Sequence, residues 1–418
     1  MVPNNLHLPE SWREVRIGDV LTEAQYGLSL PMQSKGQYPI LRMAAIQGGS
    51  VSLDDLKYVD LPENIAAQYH LRHGDILFNR TNSGDLVGKV GIYRSKVAAV
   101  FASYLIRLKV NSLLVDPYFL GRLLDSHLVQ CRIRRYATPG VQQVNINASN
   151  LQKVMIALPL AGNGLDEQRA IARILDAADA VIESTRAAIA KAGRVKRGLM
   201  QLLLPPWIGF KRVEVEALGI NGELLPAYAV ARVLNGSTPS RAEQGYWRNG
   251  TVPWLATGKV NDRIIKQADE FVTEKALAEC CIELLPRGTV LVGMIGQGKT
   301  RGMAAFLDIA ACINQNFGAF VPGPRLHGKW LCHFLDFHYT FLREIGGGTN
   351  QGALNCYLLK RIQLPILDPK KQTEVAGRLD ACDDLIHAYE RKVAVLEKLK
   401  RGLMQDLLTG RVRVARER

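Results

Sequence analysis

The sequence predicts a mixed α/β (α+β) chain of two globular domains related by internal duplication. Each domain is followed by a long helix, and the two helices are expected to form an antiparallel coiled coil. Three observations carry that expectation. Lys-Arg-Gly-Leu-Met-Gln occurs at 196–201 and again at 400–405, 204 positions apart. The segments leading into both copies place apolar residues at alternating spacings of four and three. The stretches before them read as short apolar strands and polar loops with a few helices.

The elements follow in order. Residues 1–161 are assigned to a first globular domain, in which Val154–Leu158 reads as a buried strand and Tyr118–Arg135 as a helix. A first long helix occupies 162–205. A second domain, 206–366, repeats the plan, with Thr289–Val292 as a strand and Lys329–Arg343 as a helix. The second long helix occupies 367–410, and 411–418 is a basic tail.

The duplication is quantitative. At an offset of 204, Leu165–Met200 falls on Pro369–Met404 without a gap, and 13 of the 36 positions are identical. Roughly two matches would be expected by chance. Upstream the echo persists at drifting offsets. Gly140, Gln143, Asn147 and Leu151 meet Gly348, Gln351, Asn355 and Leu359, and Leu120, Leu124, Asp125 and His127 meet Leu331, Leu335, Asp336 and His338. Gly74-Asp-Ile-Leu meets Gly288-Thr-Val-Leu.

The first heptad seam runs through Ile171, Leu175, Ala178, Ile182, Thr185, Ile189, Ala192, Lys196, Leu199 and Leu203. Its counterpart runs through Val375, Leu379, Cys382, Ile386, Tyr389, Val393, Leu396, Lys400, Leu403 and Leu407. Such seams need partners, and the economical partner for each is the other helix; separate packing of each helix on its own domain is the alternative. Lys196 and Lys400 interrupt the two seams at the same place. They are expected to snorkel to solvent or to meet an acid on the facing helix or a partner. Gly198 and Gly402 cost each helix about 1 kcal/mol relative to alanine, which suggests a close backbone approach or a bend there.

Composition limits the function. With 418 residues there is room for two to four domains, and 47% hydrophobic residues can fill large cores. No run of about 18 apolar residues suggests a membrane span. The start, MVPNNLHLPESWREV, lacks the pattern of a signal peptide, so a cytoplasmic protein without membrane attachment is expected. Seven cysteines without a Cys-x-x-Cys pair point to reduced thiols rather than disulfides or zinc. The net charge of +14 favours a polyanionic partner.

Two variable domains, each followed by a near-identical helix, resemble the specificity subunit of type I restriction–modification systems. The resemblance covers almost the whole chain. It is carried by LPESWREVRIGDV at Leu8–Val20, LRHGDILFNR at Leu71–Arg80, LDEQRAIARILDAADAVI at Leu165–Ile182 with its continuation to VKRGLMQLLL, and LKRGLMQDLLTGRVRV at Leu399–Val414. The second helix opens with Lys370-Lys-Gln where the first has Asp166-Glu-Gln, a departure that keeps the glutamine. The resemblance implies that each globular part is a target recognition domain for one half of a split double-stranded DNA site. It implies that the helices set the gap between half-sites, and that the chain itself is not catalytic. It also implies two copies of a DNA adenine methyltransferase subunit, which would carry S-adenosylmethionine, and a motor-nuclease restriction subunit. No cofactor is expected on this chain. The recognition subunit of a related fused methyltransferase–nuclease (type IIB-like) system is the near alternative.

One motif points elsewhere. Gly293–Thr300, GMIGQGKT, fits G-x-x-x-x-G-K-[ST] after an apolar strand, which would put Lys299 on phosphates and Thr300 on magnesium in a P-loop ATPase. A long helix should follow, yet RGMAAFLDIAACINQNF reads as strand and turn. A Gly-rich basic turn against DNA phosphate and a plain hairpin turn both remain open. No Asn-Pro-Pro-Tyr or Asp-Pro-Pro-Tyr, His-Glu-x-x-His or Gly-x-Ser-x-Gly segment is present. The recurring His127 and His338 read as structural.

DNA-contact candidates are loop and helix-end residues. In the first domain they are Arg80, Thr81, Asn82, Ser83, Lys89, Arg132, Arg134, Arg135, Gln142, Gln143 and Asn145. In the second they are Lys259, Arg263, Gln297, Lys299, Thr300, Arg301, Asn350 and Gln351. Arginine can grip guanine, and asparagine or glutamine adenine, in a bidentate fashion.

Overall fold

The computed structural model describes residues 8–83, 87–139, 143–206, 222–296, 298–345 and 354–414. The chain forms two compact units, Met1–Arg186 with Arg391–Arg418, and Ala187–Glu390. The units do not end where the long helices begin. Leu407 and Leu408, from the end of the second long helix, lie in the core of the first unit, and Met200 and Leu204, from the end of the first, lie in the core of the second.

The principal elements of the first unit are strands β1 (Trp12–Arg16), β2 (Leu21–Tyr26), β3 (Ile76–Asn79), β4 (Thr81–Asn82), β5 (Val90–Ile92) and β6 (Leu105–Val110), then helices α1 (Pro117–Asp125) and α2 (His127–Arg134). Strands β7 (Thr138–Pro139), β8 (Val144–Asn145) and β9 (Met155–Pro159) follow, and α3 (Gly164–Leu203) leaves the domain. The main sheet has antiparallel neighbours in the order β2-β6-β3-β5, extended by Ser50–Val51 and Ile46–Gln47. All four residues of β3 are buried, as a central strand covered on both faces requires. β1 pairs with β9 apart from this sheet.

The second unit repeats the plan. Its elements are β10 (Gly222–Pro226), β11 (Ala231–Asn235), β12 (Val290–Gly293), β13 (Ala304–Leu307), β14 (Phe317–Pro322), α4 (Gly328–Phe337), α5 (Tyr339–Ile345), β15 (Gln363–Leu367) and α6 (Pro369–Leu407). Its sheet runs β11-β14-β12-β13, extended by Ile264–Ile265, and β10 pairs with β15. The sequence duplication is thus a duplication of strand order, including regions where few residues match.

Both helices expected before the long ones are broken in two. Ser126 ends α1 with extended backbone, and its hydroxyl accepts from Val129 N to start α2. A serine favours such a cap because its side chain satisfies an orphan N–H of the new helix. In the second unit the break falls at His338. Its ring lies 2.9 Å from the Pro205 carbonyl. His127, its sequence counterpart, is exposed, so the two histidines share a place but not an environment.

Each long helix is stitched to its domain by one buried glutamine. Gln168 Oε1 accepts from Asp116 N, and its amide donates to the Leu114 and Pro159 carbonyls. Gln372 Oε1 accepts from His327 N, and its amide donates to the Arg325 and Leu367 carbonyls. Neither glutamine is exposed to solvent. Three satisfied bonds make such burial tolerable.

Within each unit the paired helices run antiparallel. In the first, Glu167 meets Arg413, Asp179 meets Lys400 and Arg186 meets Glu397, so one number rises as the other falls. Every seam position is buried or partly buried, including Ile171, Leu175, Ile182, Ile189, Leu199, Val375, Leu379, Ile386, Val393, Leu396 and Leu403. The two interrupting lysines have acidic partners on the facing helix. Lys400 lies 2.5 Å from Asp179, and Lys196 lies 2.6 Å from Asp383. The same acids sit one turn from a second pair that grips the globular domain. Asp176 takes Arg94 and Arg122, while Asp380 takes Lys329 and His333. Arg122 also reaches Asp179 at 2.5 Å. Of the two expectations for the glycines, a close approach or a bend, the first is corrected. A Cβ built at Gly198 or Gly402 meets nothing within 4 Å, so neither marks a close approach.

Two outcomes follow from this packing. Asp179→Ala strands the partly buried Lys400 and leaves the buried Arg122 to Asp176 alone, and should cost the first unit about 3 kcal/mol, whereas Lys400→Met should be nearly neutral because it completes an apolar seam. Denaturant unfolding of both variants checks the contrast. Burial holds the His338 imidazole below the usual histidine range, against the opposing bond to Pro205. The unfolded chain therefore binds the extra proton first, and stability should fall as pH drops below about 6.5. Unfolding midpoints between pH 7.5 and 5 (on the order of the histidine titration range) should show that loss, reduced in His338→Gln.

Candidate nucleic-acid interface

In the first unit the fold draws two distant candidate segments into one ribbon. β8 pairs with both β7 and β4, placing Asn145 opposite Thr138 on one side and Thr81 on the other, with Val144 opposite Asn82. Arg80–Ser83 and Gln143–Asn145 are therefore neighbours despite lying some sixty positions apart (about the span from 82 to 144). Ile146 N donates to the Arg80 carbonyl at 2.9 Å and fixes that register. The Arg80 guanidinium lies over the Tyr26 ring, 4.9 Å from its centroid, so its charge sits against an aromatic face. Ser83, Lys89, Arg134, Arg135 and Gln143 are exposed, while Arg80, Thr81, Asn82 and Asn145 are partly buried. Gln142 lies outside the described residues.

The base of this ribbon is unusually polar. Among the described residues, both amide atoms of Asn79, Arg80 Nε, Thr81 Oγ1 and Asn145 Oδ1 are buried without a hydrogen-bond partner. Left dry, each such group costs about 1–3 kcal/mol.

Arg132 stands apart from its neighbours. It donates to Glu14 and to the Met155 carbonyl, tying α2 to the β1-β9 pair. Its charge is used within the domain.

In the second unit the candidates divide in the same way. Lys299, Thr300 and Arg301 lie on the turn between β12 and β13, and Lys299 is exposed. Lys259 bonds Asp262 and Asp269, which hold its ammonium above the usual lysine range. Arg263 is paired with Asp336. Both charges are neutralised where they stand. Gln297, Asn350 and Gln351 lie outside the described residues.

The β12–β13 turn settles the GMIGQGKT motif. Strand β13 returns antiparallel beside β12, with Val290 opposite Phe306 and Val292 opposite Ala304. After Thr300 the chain makes a turn and enters this strand, where a P-loop needs a helix whose N-terminus faces the phosphates. The ATPase reading is therefore overturned by topology.

The turn also has a twin. Gly88 N donates to the Asn79 carbonyl and Gly302 N to the Gly293 carbonyl, both at 2.8 Å. Gly88 and Gly302 both have positive φ, 90° and 83°, a conformation that favours glycine. Leu354 N bonds the Met294 carbonyl just as Ile146 N bonds that of Arg80. The hydrogen bonds that close the turn are the same in the two units, and the side chains around it differ.

Sequence reasoning missed several polar groups here. Arg241 packs 3.7 Å from the centroid of Trp247 and 2.5 Å from Glu270. Tyr339 and Arg343 lay inside an expected helix and were not singled out. A clustering of Arg, Trp and Tyr in GSTPSRAEQGYWRNG was the available signal for the first.

Comparison with known proteins agrees with this geometry. A family model described as the type I restriction modification DNA specificity domain matches residues 9–192 and 229–398. The chain is 28% identical to the putative type I restriction enzyme MjaX specificity subunit of Methanocaldococcus jannaschii, over 97% of this chain and 95% of that protein. It is 25% identical to the MjaVIII specificity subunit of the same organism, over 98% and 95% of the two chains. Its fold is similar to the crystal structure of a type I restriction–modification S subunit from M. genitalium, with a TM-score of 0.62 at 16% identity, covering 97% of this chain and 98% of that one. With two matched segments that together span most of the sequence, one in each copy of the duplicated fold, the chain belongs to the type I restriction–modification DNA specificity family.

Proposed function

We propose that this chain reads a bipartite, asymmetric DNA site, with residues 1–161 and 206–366 as its two target recognition domains. One observation carries the reading: the same backbone turn, held by the same hydrogen bonds, presents different side chains in the two units. A repeated frame with divergent polar surfaces suits two half-sites of different sequence. The charge of +14 supplies sequence-independent affinity for phosphate.

The proposed partners are two copies of a DNA adenine methyltransferase subunit and one motor-nuclease subunit. The methyltransferase would bind S-adenosylmethionine and flip the adenine for N6 methylation. The chain itself would position these subunits and perform no chemistry. The seam lysines are engaged by Asp179 and Asp383, so partner docking falls to the helix flanks. There, exposed Val181 and Leu399 in the first unit are repeated as Leu385 and Val195 in the second, at positions equivalent under the 204-residue offset. Two matching apolar patches favour two copies of one partner. The expected location is cytoplasmic, and among the described residues no helix is long and apolar enough to cross a membrane.

Modified-base sequencing of cells that express the chain with its methyltransferase should reveal a two-part motif. Exchanging residues 1–161 for those of another family member should change one half of that motif. Change in both halves, or a continuous motif, would contradict the modular reading. Charge contributions should separate cleanly in a titration of DNA affinity against salt. Lys299→Ala should reduce the log–log slope by about 1, uniformly across sequences. Lys259→Ala should leave the slope nearly unchanged, because that ammonium is already neutralised by two aspartates.

A further inference from the structure

We infer that Arg343 and Tyr339 are positioning residues that shape the β12–β13 turn for reading its half-site; the inference rests on the DNA-specificity reading above. Both lie on the short helix α5 behind the turn. The Tyr339 hydroxyl donates to the Lys299 carbonyl at 2.7 Å. Arg343 Nη1 donates to the Gly298 carbonyl at 2.6 Å, to the Arg301 carbonyl at 3.4 Å and to the Tyr339 hydroxyl at 2.8 Å. Three carbonyls of one four-residue segment are thus drawn toward two side chains of a single helix.

The electrostatic consequence is direct. A carbonyl oxygen carries partial negative charge and would repel a DNA phosphate. Turned inward onto a guanidinium and a phenol, these three oxygens are removed from the face that meets DNA. Lys299 and Thr300 project from a backbone whose shape is already set, so less order has to be imposed on binding. Gly302 completes the support. A Cβ there would lie 3.0 Å from Arg343 Cγ and 3.3 Å from Arg343 N, so the turn rests against α5 itself.

The first unit reaches the same end with different chemistry. Gln130, on α2, donates to the Gly88 carbonyl and to the Leu124 carbonyl, both at 2.7 Å. Its counterpart in the second unit, at the offset of 211, is Phe341. The bracing moved to neighbouring positions on the equivalent helix while the turn it braces stayed in place. Loss of one brace should therefore affect one half-site alone.

The test uses the full chain in complex with its methyltransferase subunits. Modified-base sequencing gives the motif, and single-base substitutions in each half-site give the discrimination. Arg343→Ala should lower discrimination about ten-fold in one half-site and leave the other unchanged. The salt slope should stay at the wild-type value, unlike that of Lys299→Ala, because Arg343 is not assigned a phosphate. Arg343→Lys, which keeps the charge but not the forked donors, should recover part of the loss. Tyr339→Phe, which removes a single hydroxyl, should lower discrimination about three-fold and carries the test should Arg343→Ala fail to fold. Wild-type discrimination in Tyr339→Phe and Arg343→Lys, or equal loss in both half-sites, would overturn the inference. A wild-type complex with no two-part motif would overturn the specificity reading beneath it.

Discussion

Two pairs of aspartates hold this protein together. Asp176 and Asp179 stand one turn apart on the first long helix, and Asp380 and Asp383 occupy the same places on the second. In each pair the first acid grips the globular domain and the second grips the lysine of the antiparallel helix. One helical turn thereby joins domain to helix and helix to helix. Lys196 and Lys400 are poor seam residues in isolation. Opposite these acids they become register markers, since a shift of one heptad would leave a partly buried ammonium without its carboxylate.

The buried glutamines extend the same logic. Gln168 and Gln372 each satisfy three backbone groups where strand, helix and loop converge. Substitution there would strand those groups in a dry environment. The retained glutamine in Lys370-Lys-Gln, where neighbouring acids were lost, is accounted for by these bonds. Of the flanking charges, Asp166, Lys370 and Lys371 are exposed and can vary, while Glu167 is engaged by Arg413.

Above this frame the two units diverge, and they do so in side chains before backbone. The turn closed by Gly88 is the turn closed by Gly302, yet one is braced by Gln130 and the other by Tyr339 and Arg343. A glycine with positive φ preserves a turn's path without prescribing what the turn carries. That separation lets a duplicated domain acquire a new recognition surface while its core packing persists.

Much of the architecture was legible in one dimension. The heptad spacing, the 204-residue echo and the interrupting lysines are linear patterns, because a coiled coil repeats its environment every seven residues. By themselves they determined the two long helices, their seam and the family resemblance. The breaks at Ser126 and His338 were not legible in the same way, since an apolar pattern continues across each and only local capping or a distant carbonyl interrupts it. Gly198 and Gly402 suggested a close approach, and the structure places open space there. The binding candidates divided for a similar reason. Lys299 and Lys259 look alike as letters, but one is exposed on a turn and the other is held by two aspartates. Tertiary structure alone decided which charges are spent inside a domain and which segments meet in the β7-β8-β4 ribbon. Those outcomes depend on partners far away in sequence, and no local pattern records them.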